Sequence, residues 1–296
     1  MENQNADFNY LIPQLFALSA KLEGEGQYNN AKLLRSAVES FSRIAALEIA
    51  LPSDNVELAS EVNRVINAIS GLGISPDLTD AMKRGSNATA DGRLPLINET
   101  PNPYVCRHCG YVTLEKPTIN CPQCRAQPGT FKQIMPVFWL DNYDPFQSLK
   151  RLRQTPKDLA VLLEGLSESD MNLVPENGGW NIRNAVSHLR DAQGVMEFRI
   201  QLMIEQDNPR LESKAVFEWA ADEDDRPPET EEIFNTYNDS RHRTLLTLEN
   251  LSLKDWWRTG EHEEFGTLTI MQQVSYFATH EITHFPQIEA LINNFA

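Results

Sequence analysis

Cysteine, histidine and positive charge are all in short supply in this chain of 296 residues, which has four cysteines, six histidines and 26 basic residues against 42 acidic ones. A formal charge of -16 repels phosphate backbones and anionic lipid, which argues against nucleic acid or a membrane surface as a direct partner. Residues 1–86 hold no histidine and no cysteine. A di-iron carboxylate bundle draws on Glu-x-x-His pairs, so that chemistry is excluded from this stretch. No run of about 18 apolar residues occurs, and the opening MENQNADFNY has neither a basic nor an apolar leader region, so a cytoplasmic protein that does not span a membrane is expected. There is no internal repeat of fixed period.

What is present is a globular composition, 41% hydrophobic, and length for about two domains at ~150 residues each. The charge is uneven: residues 1–103 sum to -5, 104–140 to +3 and 141–296 to -14. The densest acidic stretch, Asp222 to Asp225 with Glu229, Glu231 and Glu232, reads as a solvated loop entering a helix. Pro227-Pro228 suit a first helical turn, and acids there favour the N-terminal dipole.

The apolar pattern predicts a mainly α chain. Residues recur at helical spacing from Tyr10 to about Leu51 and again from Val56 to Ile69, with Pro52 and Gly71 as punctuation. A short helix follows Ser75-Pro76. The stretch GSNATADGRLPLINETPNP then reads as a linker rich in turn residues. The expected organisation is a helical N-terminal domain over 1–86, a linker over 87–103, a small cysteine ribbon over 104–135 and a four-helix bundle over 136–296. Its helices are expected near 145–166, 181–206, 229–251 and 267–293, in antiparallel order and with no strands. Asn181 suits the N-cap of the second bundle helix, and Gly266 with Thr267 a similar part before the fourth.

All four cysteines lie in one nineteen-residue window, as Cys106-x2-Cys109-x11-Cys121-x2-Cys124. Two CxxC knuckles supply four thiolates, the donor set of a tetrahedral structural zinc site with metal–sulfur bonds of ~2.3 Å. About thirty residues cannot build a core, so metal would supply the missing folding energy, on the order of 10 kcal/mol. His108, inside the first knuckle, reads as solvent-facing.

The segments YVCRHCGYV and CPQCRAQPGTF resemble the rubredoxin-type ribbon of rubrerythrins, over residues 104–134. In that family the ribbon often holds iron and carries electrons, so the resemblance implies zinc or iron at the four cysteines. Arg125 departs from it, standing where the family usually has Gly, and zinc is the expected metal. Four thiolates and one divalent cation take the ribbon from +3 to about +1, which weakens the case for a nucleic-acid finger.

Three of the six histidines fall on two expected helices: His188 in NAVSHLRDA, and His280 with His284 in FATHEITHFPQI. The i, i+4 pair puts two imidazoles on one helix face, where they can share a metal at ~2.1 Å, and His188 can complete the set from a neighbouring helix. HEITH also reads as the H-E-x-x-H of metalloproteases, in which the Glu activates water. Against a protease stand the expected lack of a sheet and the lack of a His, Asp or Cys among the twelve residues after His284, where Glu289 is the one acid.

Residues 145–296 resemble the DinB-like superfamily, four-helix bundles that hold a divalent metal with three histidines. TPKDLAVLLEGL, GGWNIRNAVSHLRDA and RTGEHEEFGTLTIMQQVSYFATHEITHFPQI carry the resemblance. It implies His188, His280 and His284 as ligands of a divalent metal and one coordination position open to water or substrate; imidazoles suit zinc, nickel, copper or iron, and zinc or nickel is expected. Glu281 stands where many members have Asp, and Phe285-Pro286 where His-Leu is common; Pro286 is expected to bend the fourth helix just after a ligand. Some relatives are thiol-dependent S-transferases. The resemblance therefore implies a metal-dependent transferase, with a low-molecular-weight thiol and an electrophilic small molecule as partners, and allows a homodimer. Glu281, Asp191 and His262 are the candidate catalytic residues, Glu197 and Gln287 candidate hydrogen-bond partners of the site, and His242 a surface residue. The competing readings are an interaction or sensor protein with structural metals, and electron transfer through an iron ribbon.

Overall fold

The computed structural model describes residues 8–175, 178–212 and 229–293. The chain divides into two compact units, one made of the described residues through Leu94 with Pro103–Gln133, the other of Pro95–Asn102 with the described residues from Ile134 onward.

The first unit begins with two helical hairpins. Helix α1 (Phe8–Gly24) pairs with α2 (Tyr28–Leu47), and α3 (Asn55–Ser70) with α4 (Pro76–Ala90). The apolar period that runs from Tyr10 to Leu51 is thus broken at a turn over 25–27, where Gln27 N–H returns to Leu22 O at 2.8 Å. Asp54 caps α3 by accepting from the N–H groups of Val56 and Glu57. Ser86 Oγ donates to Ala59 O at 2.9 Å and ties the second hairpin together. Helix α4 runs four residues past the expected boundary at 86, because Ser86 and Ala88 are buried small residues that continue its packed face.

The ribbon belongs to this unit. Strands β1 (Tyr104–Cys106), β2 (Val112–Thr113) and β3 (Phe131–Gln133) form an antiparallel sheet in the order β2-β1-β3.

The second unit holds the bundle: α5 (Pro145–Leu163), the short α6 (Glu168–Met171), α7 (Ile182–Glu205), α8 (Thr230–Glu249), α9 (Ile270–Thr283) and α10 (Phe285–Asn293). The four expected helices are present, and the fourth is divided at His284. Asn181 caps α7 as expected, in a reciprocal box with Asn184. The cap of α9 is Thr269, not Gly266 or Thr267.

Two apolar cores fill the bundle. One joins Leu152, Met196, Ile200, Leu248, Val274 and Phe277; the other joins Leu159, Ile182, Val186, Ile233, Tyr237 and Ile288. The first halves of α7 and α8 therefore share one core and their second halves approach the other, so these two helices run parallel. This corrects the expected antiparallel order. The 24 residues between α7 and α8 leave room for a crossover that a short loop would not allow.

The second correction concerns strands. β4 (Arg210–Leu211), β5 (Thr259–His262) and β6 (Gly266–Thr269) form a small sheet in the order β4-β5-β6, parallel then antiparallel. Part of the expected linker serves it: Ile97 N–H donates to Glu263 O at 2.8 Å, and Asn102 Nδ2 to Phe265 O at 2.9 Å. These bonds satisfy backbone carbonyls at the β5–β6 turn, which is why a polar stretch packs there. The acidic stretch Asp222 to Asp225 and Pro227-Pro228 lie outside the described residues, while Glu229, Glu231 and Glu232 sit at the start of α8, where acids suit the helix dipole.

Candidate metal centres

The three-residue spacing of each CxxC pair lets a tight turn bring both sulfurs to one side. In the first knuckle Gly110 N–H donates to Cys106 O at 2.9 Å and Cys106 N–H to Tyr111 O at 2.8 Å; in the second, Arg125 and Cys121 make the same bonds to Cys121 O and Ala126 O at 2.9 and 2.8 Å. The two turns face each other. Cys106 Sγ lies 3.7 Å from Cys124 Sγ, and Cys109 Sγ 3.7 Å from Cys121 Sγ. Sulfurs bound tetrahedrally at ~2.3 Å are about 3.8 Å apart, so the cluster has the dimensions of a four-thiolate metal site. Burial raises the Cys106 thiol, but the backbone N–H groups of Cys109 and His108 more than offset it, bringing Cys106 down to about 6, whereas Cys109 is pushed up to about 12 beside its neighbours. Bound together as thiolates, four sulfurs at this spacing would need a cation to offset their charge. His108 is exposed, as expected of a residue between ligands.

The second centre lies in the bundle. α7 carries His188 about two turns past its Asn181 cap, and α9 carries His280 near its end with His284 as its C-cap residue. His188 Nε2 and His280 Nε2 are 3.3 Å apart, and His280 Nε2 and His284 Nε2 3.2 Å. Three nitrogens bound tetrahedrally at ~2.1 Å are about 3.4 Å apart, so these imidazoles are already spaced for one cation. All three are partly exposed, which leaves a side of the cluster open. Burial, followed by the neighbouring imidazoles, lowers His188 to about 4 and His280 to about 3; burial also lowers His284. The rings are therefore neutral near pH 7, the state that binds metal. The Nδ1 of His284 faces Gln287 Oε1 at 3.4 Å, which makes Gln287 the residue orienting that ring.

Aromatic rings wall the cluster. Trp180 lies 5.0 Å from the His188 ring and stacks on His284 at 6.2 Å; Trp139 lies 5.7 Å from His280; and Tyr276 stacks on His280 at 5.8 Å, 5.6 Å from Trp139. Trp139 and Tyr276 were not legible as site residues. Trp139 comes from a one-turn helix over Phe138–Asp141, and the only signal is the aromatic pair Phe138-Trp139 just before the bundle.

Several candidates stand elsewhere. Glu281 is buried and its carboxylate pairs with the guanidinium of Arg241 on α8, so it is turned into the bundle core. Asp191 pairs with Arg190 at 2.8 Å. Glu197 pairs with Arg243 and accepts from Ser240. His262 is on β5 and not in a loop; it is buried, stacks on Phe265, and its Nδ1 accepts from the N–H groups of Glu264 and Phe265. Burial, with the nearby Arg199 charge, lowers it to about 3. It fixes the β5–β6 turn and is not part of the three-histidine group. His242 is exposed, as expected. A separate cavity of about 430 Å³, lined by Leu163, Met171, Thr230 and Phe234 among others, includes none of the three histidines.

The comparisons with known proteins concern this half of the chain. The DinB superfamily matches residues 151–288, a range that contains His188, His280 and His284 and bears out the resemblance read from the sequence. A protein of Oceanobacillus iheyensis named "Putative metal-dependent hydrolase" is 26% identical over 144 residues, 48% of this chain and 83% of the relative. One of Geobacillus kaustophilus with the same description is 26% identical over 141 residues, covering 47% and 79%. A solved structure titled "YfiT from Bacillus subtilis is a probable metal-dependent hydrolase with an unusual four-helix bundle topology" superposes with a TM-score of 0.46 at 19% identity, covering 51% of this chain and 87% of that one.

Proposed function

We propose that the bundle is a divalent-metal enzyme whose nucleophile is water or an external low-molecular-weight thiol, and that the cysteine ribbon is a structural zinc site. The observation that carries this reading is the convergence of three neutral imidazole nitrogens at metal-ligand spacing, with no carboxylate among them and one side open. A cation held there keeps its full +2 and lowers the pKa of water or a thiol bound beside it, zinc-bound water reaching about 7. His188, His280 and His284 would hold it, Gln287 would orient His284, and Trp139, Trp180 and Tyr276 would restrict water and shape an apolar approach for the substrate.

The relatives named as metal-dependent hydrolases favour water as the nucleophile. The thiol alternative fits one further fact: every cysteine of the chain is in the ribbon, so a thiol must come from outside. A metalloprotease of the HExxH kind is disfavoured because Glu281, the residue that would serve as base, is committed to Arg241.

Alanine at His280 and His284 should remove one equivalent of metal from the full chain and leave the ribbon metal in place. Retention of both equivalents would refute the assignment. Turnover of an activated ester and of an electrophile, each with and without an added thiol, separates the hydrolase from the transferase. Turnover of neither by the metal-loaded chain favours an interaction or sensor role. A colourless protein with zinc at the cysteines excludes electron transfer through the ribbon.

A further inference from the structure

Arg241 lies in the polar stretch NDSRHR of α8, a helix that carries none of the three histidines. It is nevertheless 2% exposed. Its Nε donates to Gln193 Oε1 on α7 at 2.6 Å, its Nη1 to Leu152 O on α5 at 2.9 Å, and its Nη2 to Glu281 Oε1 on α9, while the guanidinium lies 5.0 Å from the Tyr237 ring on its own helix. One planar cation on α8 thus joins the bundle helices α5, α7 and α9. Gln193 is held in turn, since its Nε2 donates to Ser240 Oγ at 3.2 Å and Thr244 Oγ1 at 2.8 Å.

Two of these links reach the helices that bear the histidines. Gln193 follows His188 by five residues on α7, and Glu281 is the next residue after His280 on α9. The distance between His188 and His280 is set by how α7 and α9 are held against each other, and Arg241 is bonded to both.

We propose that Arg241 is a positioning residue for the three-histidine centre: it binds Gln193 and Glu281 at once and so fixes the separation of the imidazoles. The proposal rests on those histidines being metal ligands. It assigns Glu281 the part of an anchor and not of a base. A lysine, with a compact ammonium in place of a planar fork, would neutralise Glu281 but could not span to Gln193 and the Leu152 carbonyl together.

The test is cobalt(II) binding to the full chain with zinc already in the cysteine site, read by chelator competition and by the visible d–d spectrum. Wild-type protein, R241K and Q193M are compared. Q193M leaves the Arg241–Glu281 ion pair intact and removes the bonds of Gln193 to Arg241, Ser240 and Thr244, so it reports on the tie between α7 and α8 even where R241K fails to fold. Arg241→Lys and Gln193→Met should each weaken cobalt binding by about 10–100-fold, the usual effect of losing a residue that orients ligands, and should alter the spectrum. Metal-free melting should fall less than the metal-dependent rise in Tm, which a purely structural role would leave unchanged. Unchanged cobalt affinity and spectrum in a folded variant would overturn the positioning role. Failure of the wild-type chain to bind cobalt at the histidines would overturn the metal assignment itself.

Discussion

Gly110 and Arg125 occupy equivalent places in the two cysteine knuckles and share one backbone conformation, with φ of 80° and 66°. The N–H of each closes its turn on the carbonyl of the first cysteine of its pair. Glycine adopts this region freely, whereas a side chain with a Cβ pays about 1–2 kcal/mol for it. The ribbon keeps its fold with a strained residue in the second knuckle.

Replacing Arg125 with Gly should therefore stabilise the ribbon by about 1 kcal/mol. Chelator competition at the cysteine site should show roughly a fivefold gain in metal affinity, since 1.4 kcal/mol corresponds to tenfold. No gain would mean that Arg125 makes a compensating contact.

The metal-free bundle should lose stability in acid. His188 and His280, ordinarily near 6.5, are lowered by burial to about 4 and about 3. The unfolded chain then binds more protons than the folded one between these values, so stability is full above about pH 6.5 and declines as pH falls toward 4. Melting of metal-free protein at a series of pH values measures this. Alanine at both histidines should flatten the decline.

Trp139 and Trp180 should report metal at the histidines. Their rings lie 5.7 Å from His280 and 5.0 Å from His188. Binding of copper(II) or nickel(II) should quench part of the tryptophan fluorescence, and W139F and W180F should each remove a share of the quenched signal. Undiminished quenching in the double variant would place the bound ion elsewhere.

Gly260 in β5 should not accept a side chain. A Cβ there would fall 2.8 Å from Leu211 Cδ1 and 2.9 Å from Cγ, and Leu211 is only 1% exposed. Gly260→Ala should cost about 1–3 kcal/mol through overpacking. The midpoint of urea unfolding provides the measurement, with Gly194→Ala, where nothing lies within 4 Å, as the control.

The parts that were legible in the sequence follow from periodicity and from donor spacing. Amphipathic repeats marked α5, α7, α8 and the α9–α10 stretch, and the CxxC and HxxxH spacings marked both donor sets. The β5–β6 hairpin escaped because TGEH and GTLT are four residues each and carry almost no apolar side chains. The parallel course of α7 and α8 escaped because helix direction is set by which ends share a core, and the 3.6-residue period is the same either way. Arg241 escaped because its burial depends on partners 40 to 89 residues away. Glu281 was legible as a residue beside a ligand, but its orientation depends on Arg241.

The contact between His188 and His280 spans 92 residues of sequence. A cation bound to both would close that stretch into a loop, in the manner of a disulfide, and loop closure of this length removes chain entropy worth on the order of 4 kcal/mol from the unfolded state. The intervening segment includes all of α8 and the small sheet. With metal bound, a chain cut once within it would remain one particle held through the histidines, and on removal of the metal only packing would keep the two pieces together.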